Sequence, residues 1–200
     1  MSEKTPVPNT NEQIPVEKHP WPPFIPKGAQ ILVLGTFPPG RKRWSMEFYY
    51  PNKTNDFWYV MGVVFFGDKY ALCDNNHNFS LQKIQDFLTE RHIAISDVAR
   101  RVKRLKGNAS DKYLEIVEAL PLSELLSQMP ACHTIVTTGQ KAAEVIAQIT
   151  GTQIPQLGKM IVAENGLEIW RMPSTSRAYP LPLLEKARYY DNMLRHTGIL

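Results

Sequence analysis

The segment from residue 35 to residue 58 contains the side chains best suited to chemistry. It begins with a Gly-Thr-Phe-Pro-Pro-Gly loop, residues 35–40, which follows an apolar run at 31–34. Pro38 and Pro39 stiffen the middle of the loop, while the glycines leave its ends free, which favours backbone amides that point at a ligand. Cations, rings and carboxamides follow: Arg41, Lys42, Arg43 and Lys53; Trp44, Phe48, Tyr49, Tyr50, Phe57 and Trp58; Asn52 and Asn55. Because cations suit phosphates and rings suit bases, the segment predicts a nucleic-acid site.

Three further loops are expected to join this segment at one edge of a sheet. In open α/β sheets, ligands bind beyond the carboxyl ends of the strands. Loops after predicted strands ending at 98, 138 and 172 carry these residues: Arg100, Arg101, Lys103, Arg104 and Lys106; Gly139, Gln140 and Lys141; Pro173, Ser174, Thr175, Ser176 and Arg177. Each charge alone is equally typical of a solvated loop, and the run at 100–106 has no interleaved aromatics. Together the loops bring lysine and arginine to the same edge.

Apolar periodicity predicts the elements that position these loops. Strands are predicted at 30–34, 93–98 and 134–138, and helices at 55–66, 80–90, 122–129, 140–149 and 183–196. An Asn165-Gly166 turn between 160–163 and 167–172 indicates an antiparallel hairpin. Strands that alternate with helices need crossover connections. The sequence therefore predicts an α/β fold, a three-layer α/β/α sandwich with a central, mostly parallel sheet.

Composition predicts one domain preceded by an arm. Residues 1–27 hold seven of the 16 prolines and almost no apolar periodicity, so we expect a proline-rich N-terminal arm there that lies on the domain or stays mobile. Residues 28–200 are long enough for a single core. The opening residues predict no secretory signal, and the longest apolar run, 60–66, is too short to span a bilayer. We expect a soluble, cytoplasmic monomer.

The net charge and the spacing of the cysteines and histidines limit which partners and metals are expected. The net charge of +4, with a pI near 9.0, permits an anionic partner without requiring one. Cys73 and Cys132 are far apart, which excludes a zinc or iron–sulfur arrangement. The five histidines show no ligand spacing: His19, His77, His92, His133 and His196. No metal and no cofactor are expected.

Two separated motifs resemble the uracil-DNA glycosylase superfamily, and within it the hypoxanthine-DNA glycosylase and mismatch-specific branches. ILVLGTFPPG followed by YYPNKTNDFW resembles the superfamily's first active-site loop and the tyrosine pair, turn, asparagine and Phe-Trp after it. RMPSTSRA resembles its late Pro-Ser loop, and TIVTTGQKAAEVI is similar to its strand, glycine and alanine-rich helix at that point. The resemblance spans about residues 30–194 and implies a uracil-DNA glycosylase-like fold.

The resemblance also implies a reaction. It is hydrolysis of the N-glycosidic bond of a deaminated base, uracil or hypoxanthine, flipped out of DNA for base-excision repair. Such a bond breaks through an oxocarbenium-like transition state, so the site must stabilise charge on the departing base and place a water at the sugar. No lysine is evidently placed as an attacking amine, so strand cleavage is not expected.

The resemblance assigns roles to individual residues. Asn55 is the candidate catalytic residue, because it matches the asparagine of the hypoxanthine branch's His-Pro-Arg-Asn turn, which here reads Asn-Lys-Thr-Asn. Amides near Thr36 and Phe37 would hold a base carbonyl, and the Phe37 ring would stack on the base. The candidate substrate-binding residues are Gly35, Thr36, Phe37, Pro38, Tyr50 and Asn52. The candidate DNA-binding residues are Arg41, Lys53, Lys141, Ser174, Thr175, Ser176 and Arg177; the late loop would enter the minor groove and contact phosphates.

Departures from the family pattern support alternative functions. Phe37 stands where other branches place an aspartate or asparagine and cannot activate water, and Asn52 replaces the expected histidine. These changes favour a nucleic-acid-binding module without catalysis. A third possibility is an enzyme that acts on free nucleobases or nucleotides. Without the resemblance, Asn55 at a helix start is more typical of an N-cap.

Overall fold

The structure is a computed structural model that describes residues 14–106 and 111–200, apart from the side chain of Lys112. Eight strands and five α-helices occur in these residues. The strands are β1 (Val16–Lys18), β2 (Ile31–Gly35), β3 (Ile93–Asp97), β4 (Ala99–Arg104), β5 (Leu114–Ala119), β6 (Thr134–Thr138), β7 (Lys159–Val162) and β8 (Glu168–Met172). The helices are α1 (Phe57–Phe66), α2 (Leu81–Glu90), α3 (Leu122–Ser127), α4 (Gln140–Thr150) and α5 (Leu183–His196).

A five-stranded sheet of order β3-β2-β6-β8-β7 lies at the centre. β2 pairs in parallel with β3 and β6, and β6 pairs in parallel with β8. β7 is antiparallel to β8, as the Asn-Gly turn predicts. Every residue of β2, β3 and β6 is buried, because both faces of the sheet are covered.

Side-chain alternation along β2 divides the core between the two faces. Ile31 and Val33 pack into a cluster with residues of α1, α2 and α5. Leu32 and Leu34 pack into a second cluster with residues of α3 and α4. Successive strand residues point to opposite faces, so one short strand anchors both helical layers. The three-layer α/β/α fold predicted from the sequence is confirmed.

A second sheet corrects the prediction of a basic loop at 100–106. β4 is the middle strand of a three-stranded antiparallel sheet with β1 and β5. Three of its four basic residues are paired with acids of the neighbouring strands: Arg101 with Glu118, Lys103 with Glu115, and Arg104 with Glu17. The apolar residues of β4 are Ala99 and Val102, and both are buried in a small cluster. Cross-strand ion pairs therefore support a strand that hydrophobic patterning does not reveal.

The described part of the predicted arm, residues 14–27, lies on the domain. β1 pairs with β4, and the backbone of Phe24 exchanges two hydrogen bonds of 3.0 Å with that of Ile95 on β3. The side chain of His19 is completely buried. Residues 1–13 lie outside the described residues, and a domain boundary at residue 28 stays a prediction. Within the residues described, no helix combines the length and apolarity needed to cross a membrane.

Candidate active site

A cleft of about 230 Å³ opens at the carboxyl ends of β2, β3, β6 and β8. This is the edge at which open α/β sheets bind ligands. The cleft brings together all the residues predicted to bind substrate, the candidate catalytic residue and the late loop: Gly35, Thr36, Phe37, Pro38, Tyr50, Asn52, Asn55, Ser174, Thr175, Ser176 and Arg177. Their individual roles stay predictions.

The first loop is held by its carbonyl groups. The carbonyls of Gly35 and Thr36 accept the N–H groups of Val98 and Ala99, at 2.9 and 3.2 Å. Further along, Pro38 O accepts from Arg104 Nη2 at 2.6 Å, and Pro39 O accepts from Trp44 Nε1 at 2.7 Å.

While the carbonyl groups of the loop are bonded, two of its backbone amides remain for a ligand. Among the described residues, the N–H groups of Thr36 and Phe37 have no hydrogen-bond acceptor. The loop therefore presents two unpaired donors in a stiff backbone, which suits a base carbonyl that gains charge.

Asn55 combines a capping bond with a free amide group. Its Oδ1 accepts the N–H of Phe57 at 2.9 Å, which satisfies a donor at the start of α1. This bond fixes the orientation of the carboxamide, because only the oxygen accepts. Within the part of the chain described, Nδ2 has no protein acceptor. The cap expected of such a residue and contact with a ligand in the cleft are therefore compatible.

Phe37 lies between the cleft and the interior of the protein. It lines the cleft, and it also packs against the small cluster under β4. Its ring meets the His19 ring edge-on at 5.3 Å, and the Arg104 guanidinium lies 5.5 Å from its centre. The ring is thus held in place from behind, which leaves one side for the cleft.

Tyr50 closes one wall of the cleft. Thr138 Oγ1 donates to Leu34 O at 3.2 Å, so Tyr50 OH donates to Thr138 Oγ1 at 2.6 Å. The Tyr50 ring stacks on Phe57 at 4.1 Å, and its backbone has a positive φ of 50°. Burial raises the pKa of Tyr50 well above its usual value, so the phenol stays neutral and serves as a donor.

Two carboxyl groups in the cleft are absent from the sequence-based prediction. Asp97 ends β3, and Asp111 begins a 3₁₀ turn, Asp111–Tyr113. Thr36 Oγ1 donates to Asp111 Oδ2 at 2.8 Å. Burial raises the pKa of Asp111 above its usual value, although the Thr36 hydrogen bond opposes this shift. Asp97 could have been predicted, because it lies at the carboxyl end of a predicted strand. Asp111 could not, because it follows β4, which the sequence did not predict as a strand.

The predicted DNA-binding cations divide into two groups. Arg177 lines the cleft with a side chain that is 62% exposed. Arg41, Lys53 and Lys141 lie outside the lining. Arg41 pairs with Glu47 at 2.8 Å, and Lys53 Nζ donates to Asn78 Oδ1. The positive charge of Lys141, in the first turn of α4, acts to lower the pKa of Asp111.

A buried ion pair holds the late loop against the start of α1. Lys186 on α5 donates to Asp56 Oδ2 at 2.8 Å and to Ser176 O at 3.0 Å. The Asp56 N–H also donates to Thr175 O at 2.8 Å. Because Asn55 is adjacent to Asp56, this network places its carboxamide beside the late loop. Among the residues described, no group of three or more His, Cys, Asp or Glu side chains could hold a metal ion.

Comparison with known proteins finds relatives both by sequence and by structure. No protein-family model matches the chain. The hypoxanthine DNA glycosylases of Methanosarcina barkeri and Methanosarcina acetivorans are 27% and 26% identical over 129 and 127 residues, which cover 64% of this chain and 75% and 74% of theirs. A solution NMR structure from M. acetivorans, provisionally described as a uracil DNA glycosylase, matches with a TM-score of 0.63 at 23% identity. The match covers 92% of this chain and 99% of that one.

The mostly parallel sheet, with its cleft at the strand ends, defines an α/β protein with a uracil-DNA glycosylase-like fold. The sequence matches then specify the relationship. This chain is related to the uracil-DNA glycosylase superfamily, and its matched relatives there are hypoxanthine DNA glycosylases. The resemblance inferred from the two motifs is confirmed.

The ion pair generates a prediction about stability. Replacing Lys186 with Met keeps the apolar stem but leaves the largely buried Asp56 carboxylate without its main partner. We expect the free energy of unfolding to fall by about 3 to 5 kcal/mol, measured by urea denaturation. Arg188→Ala on the same helix breaks an exposed pair with Glu185 and should change it by less than about 1 kcal/mol. Equal effects of the two substitutions would contradict the structural role given to Lys186.

A second prediction concerns the lack of space for a side chain at Gly35. A Cβ at this position would lie 2.3 Å from Asp97 Oδ1 and 3.0 Å from Tyr50 OH. Gly35→Ala should therefore lower the free energy of unfolding by about 1 to 3 kcal/mol. A Cβ on Gly40, in the same loop, would have no atom within 4 Å. Gly40→Ala should leave the melting temperature within a few degrees of the wild type, and a matching loss there would show that loop flexibility, not space, is what matters.

Proposed function

We propose that the protein is a monofunctional DNA glycosylase that hydrolyses the N-glycosidic bond of a deaminated base, uracil or hypoxanthine, flipped out of DNA for base-excision repair. The observation that carries the proposal is a single cleft lined both by Thr36 and Phe37, whose amides have no acceptor among the described residues, and by Asn55. The similarity to hypoxanthine DNA glycosylases supports it. On this proposal DNA is the partner of a cytoplasmic, monomeric enzyme that needs no metal.

The groups in the cleft match the needs of base release. As the bond breaks, negative charge develops on the departing base, and the N–H groups of Thr36 and Phe37 would stabilise it at a base carbonyl. The Phe37 ring would stack on the base. Asn55 would donate from Nδ2 to the base edge or to the attacking water, while its Oδ1 stays on the helix cap.

The late loop would contact the DNA backbone beside the flipped nucleotide. Ser176 and Arg177 are exposed, whereas Thr175 is 2% exposed and contributes through its backbone. Lys186 holds the loop through Ser176 O, so its shape is set before DNA arrives. Such preorganised donors position the duplex without reading sequence.

One observation favours a second candidate function, binding of nucleic acid without catalysis. Phe37 cannot activate water, and the Asn55 oxygen already serves the helix start. If so, the cleft would hold an extruded base and leave its bond intact. Base release under single-turnover conditions distinguishes the two functions.

We predict base release that depends on the Asn55 carboxamide. Wild-type protein in excess should release base from at least one labelled duplex carrying uracil, hypoxanthine, xanthine or a T·G mismatch, detected as alkali-labile abasic sites. Asn55→Ala should reduce the rate at least about 100-fold. Turnover of a free mononucleotide with no action on any duplex would favour an enzyme of free nucleobases or nucleotides instead.

A matched variant separates catalysis from capping. Asn55→Ala should also lose about 1 kcal/mol of stability, since the Phe57 N–H loses its acceptor. Asn55→Ser keeps a capping oxygen but removes the amide nitrogen. It should therefore recover most of the stability and none of the rate. Recovery of the rate by serine would mean that Asn55 acts only as a cap.

Arg177 should contribute an electrostatic contact to DNA. Arg177→Ala should weaken binding to a duplex and reduce the slope of log K against log salt by about one. The measurement is fluorescence anisotropy from 50 to 300 mM salt, an approximate range over which phosphate contacts dominate. Arg188→Ala, an exposed arginine on α5 that does not line the cleft, is the control. Unchanged slopes in both variants would remove Arg177 from the DNA interface.

A further inference from the structure

Phe37 in the first loop has no polar group that could hold the attacking water, so the reaction needs another residue for this task. We propose that the Asp97 carboxylate orients and deprotonates that water, and that His19, from the N-terminal segment, is the positioning residue for Asp97. The inference rests on the proposed glycosylase function and adds a catalytic group to it. Asp97 and His19 both lie outside the two sequence motifs.

Asp97 lies at the base of the first loop. It ends β3 in parallel register with Gly35, the last residue of β2. The 2.3 Å separation between Oδ1 and a Cβ built on Gly35 shows that the carboxylate lies directly over the glycine α-carbon. A carboxylate of a neighbouring strand thus reaches the start of the loop, where Phe37 offers no polar group.

His19 fixes the carboxylate through one oxygen. Its Nε2 lies 3.0 Å from Asp97 Oδ2. Its ring is stacked with Tyr49 at 5.5 Å and meets Phe37 edge-on, and Nδ1 lies 2.8 Å from Trp21 O. The ring therefore has little freedom to turn. Within the described residues, Asp97 Oδ1 has no hydrogen-bond partner, so this oxygen remains for a water in the cleft.

Asp111 is less suited to the same task. Its Oδ2 already accepts a hydrogen bond from Thr36 Oγ1. Burial raises its pKa, which favours the neutral acid and weakens it as a base. Asp97 instead has the His19 Nε2 atom against Oδ2, and none of the described residues donates to its Oδ1.

The proposed step is an ordinary hydrolysis. The water oxygen forms a bond to the sugar carbon C1′ while the C1′–N bond breaks, and the electron pair of that bond leaves with the base. One proton of the water passes to Asp97 Oδ1, and the base anion takes a proton from solvent after it departs. The products are the free base and an abasic sugar, with no redox change and no other reactant.

The N-terminal segment is thereby part of the site. The His19 N–H donates to Arg100 O at 2.8 Å, next to the pairing of β1 with β4. These backbone bonds bring His19 to the end of β3 from outside the region that resembles the superfamily. The ring can thus orient Asp97 without touching the substrate.

The test compares rate with binding in carboxylate and amide variants. Asp97→Asn keeps the size of the side chain and should lower the single-turnover rate at least about 100-fold, with duplex affinity within about threefold of the wild type. Asp86→Asn removes one exposed negative charge from α2 and is the control for electrostatic effects on DNA binding. It should keep the wild-type rate.

His19 variants test positioning, and they remain informative if Asp97→Asn fails to fold. In His19→Gln the Nε2 donor can still reach Asp97, whereas His19→Leu removes it. We expect the leucine variant to lose at least about 10-fold in rate at unchanged duplex affinity, and the glutamine variant to recover most of it. Equal rates in both, or losses that follow melting temperature rather than the donor, would leave His19 a structural residue and overturn its positioning role.

The outcomes separate the inference from the proposed function. Wild-type protein that releases no base from any duplex overturns the glycosylase function and this step with it. Release by the wild type that Asp97→Asn retains within about threefold overturns the inference alone. Loss of rate together with duplex affinity in Asp97→Asn would assign Asp97 to binding and also overturn it.

Discussion

Lys186 carries a charge on a face of α5 that is closed to water, and Asp56 supplies the opposite charge from the residue before α1. Neither group is stable there alone, because removing a charge from water without a partner is strongly unfavourable. The same ammonium group also donates to Ser176 O, so the start of α1, the late loop and α5 converge on one atom. This convergence fixes part of the cleft, because Asn55 is adjacent to Asp56 and Ser176 belongs to the late loop.

The first loop shows how a site is prepared before its ligand arrives. Its carbonyl groups accept hydrogen bonds from Val98, Ala99, Arg104 and Trp44, while the amides of Thr36 and Phe37 have no acceptor among the described residues. The two proline rings remove most of the remaining backbone freedom. A ligand that needs these donors would not have to order the loop first, which is the general advantage of preorganised hydrogen-bond donors in catalysis.

The central sheet was predictable because β2 is a continuous apolar run and β6 consists of the β-branched residues Thr, Ile and Val, and such segments suit buried strands. β4 was not, since its strand identity depends on acids from β1 and β5 that only the folded chain brings near. Asn55 and the late loop were found through motifs, whereas Asp97 and His19 were missed. Their roles depend on their contact with each other, and no local sequence pattern reveals a contact between residues that are 78 positions apart in the chain.

The parallel pairing of β2 also affects how the chain can be made. Ile31 has Ile93 as its partner on one side and Thr134 on the other, so both neighbouring strands, β3 and β6, leave the ribosome much later than β2 itself. Until then an apolar strand has two unsatisfied edges, which favours association with other chains. Folding of this protein is therefore expected to be largely post-translational, because β6, β7 and β8 of the same sheet all come from the last third of the chain.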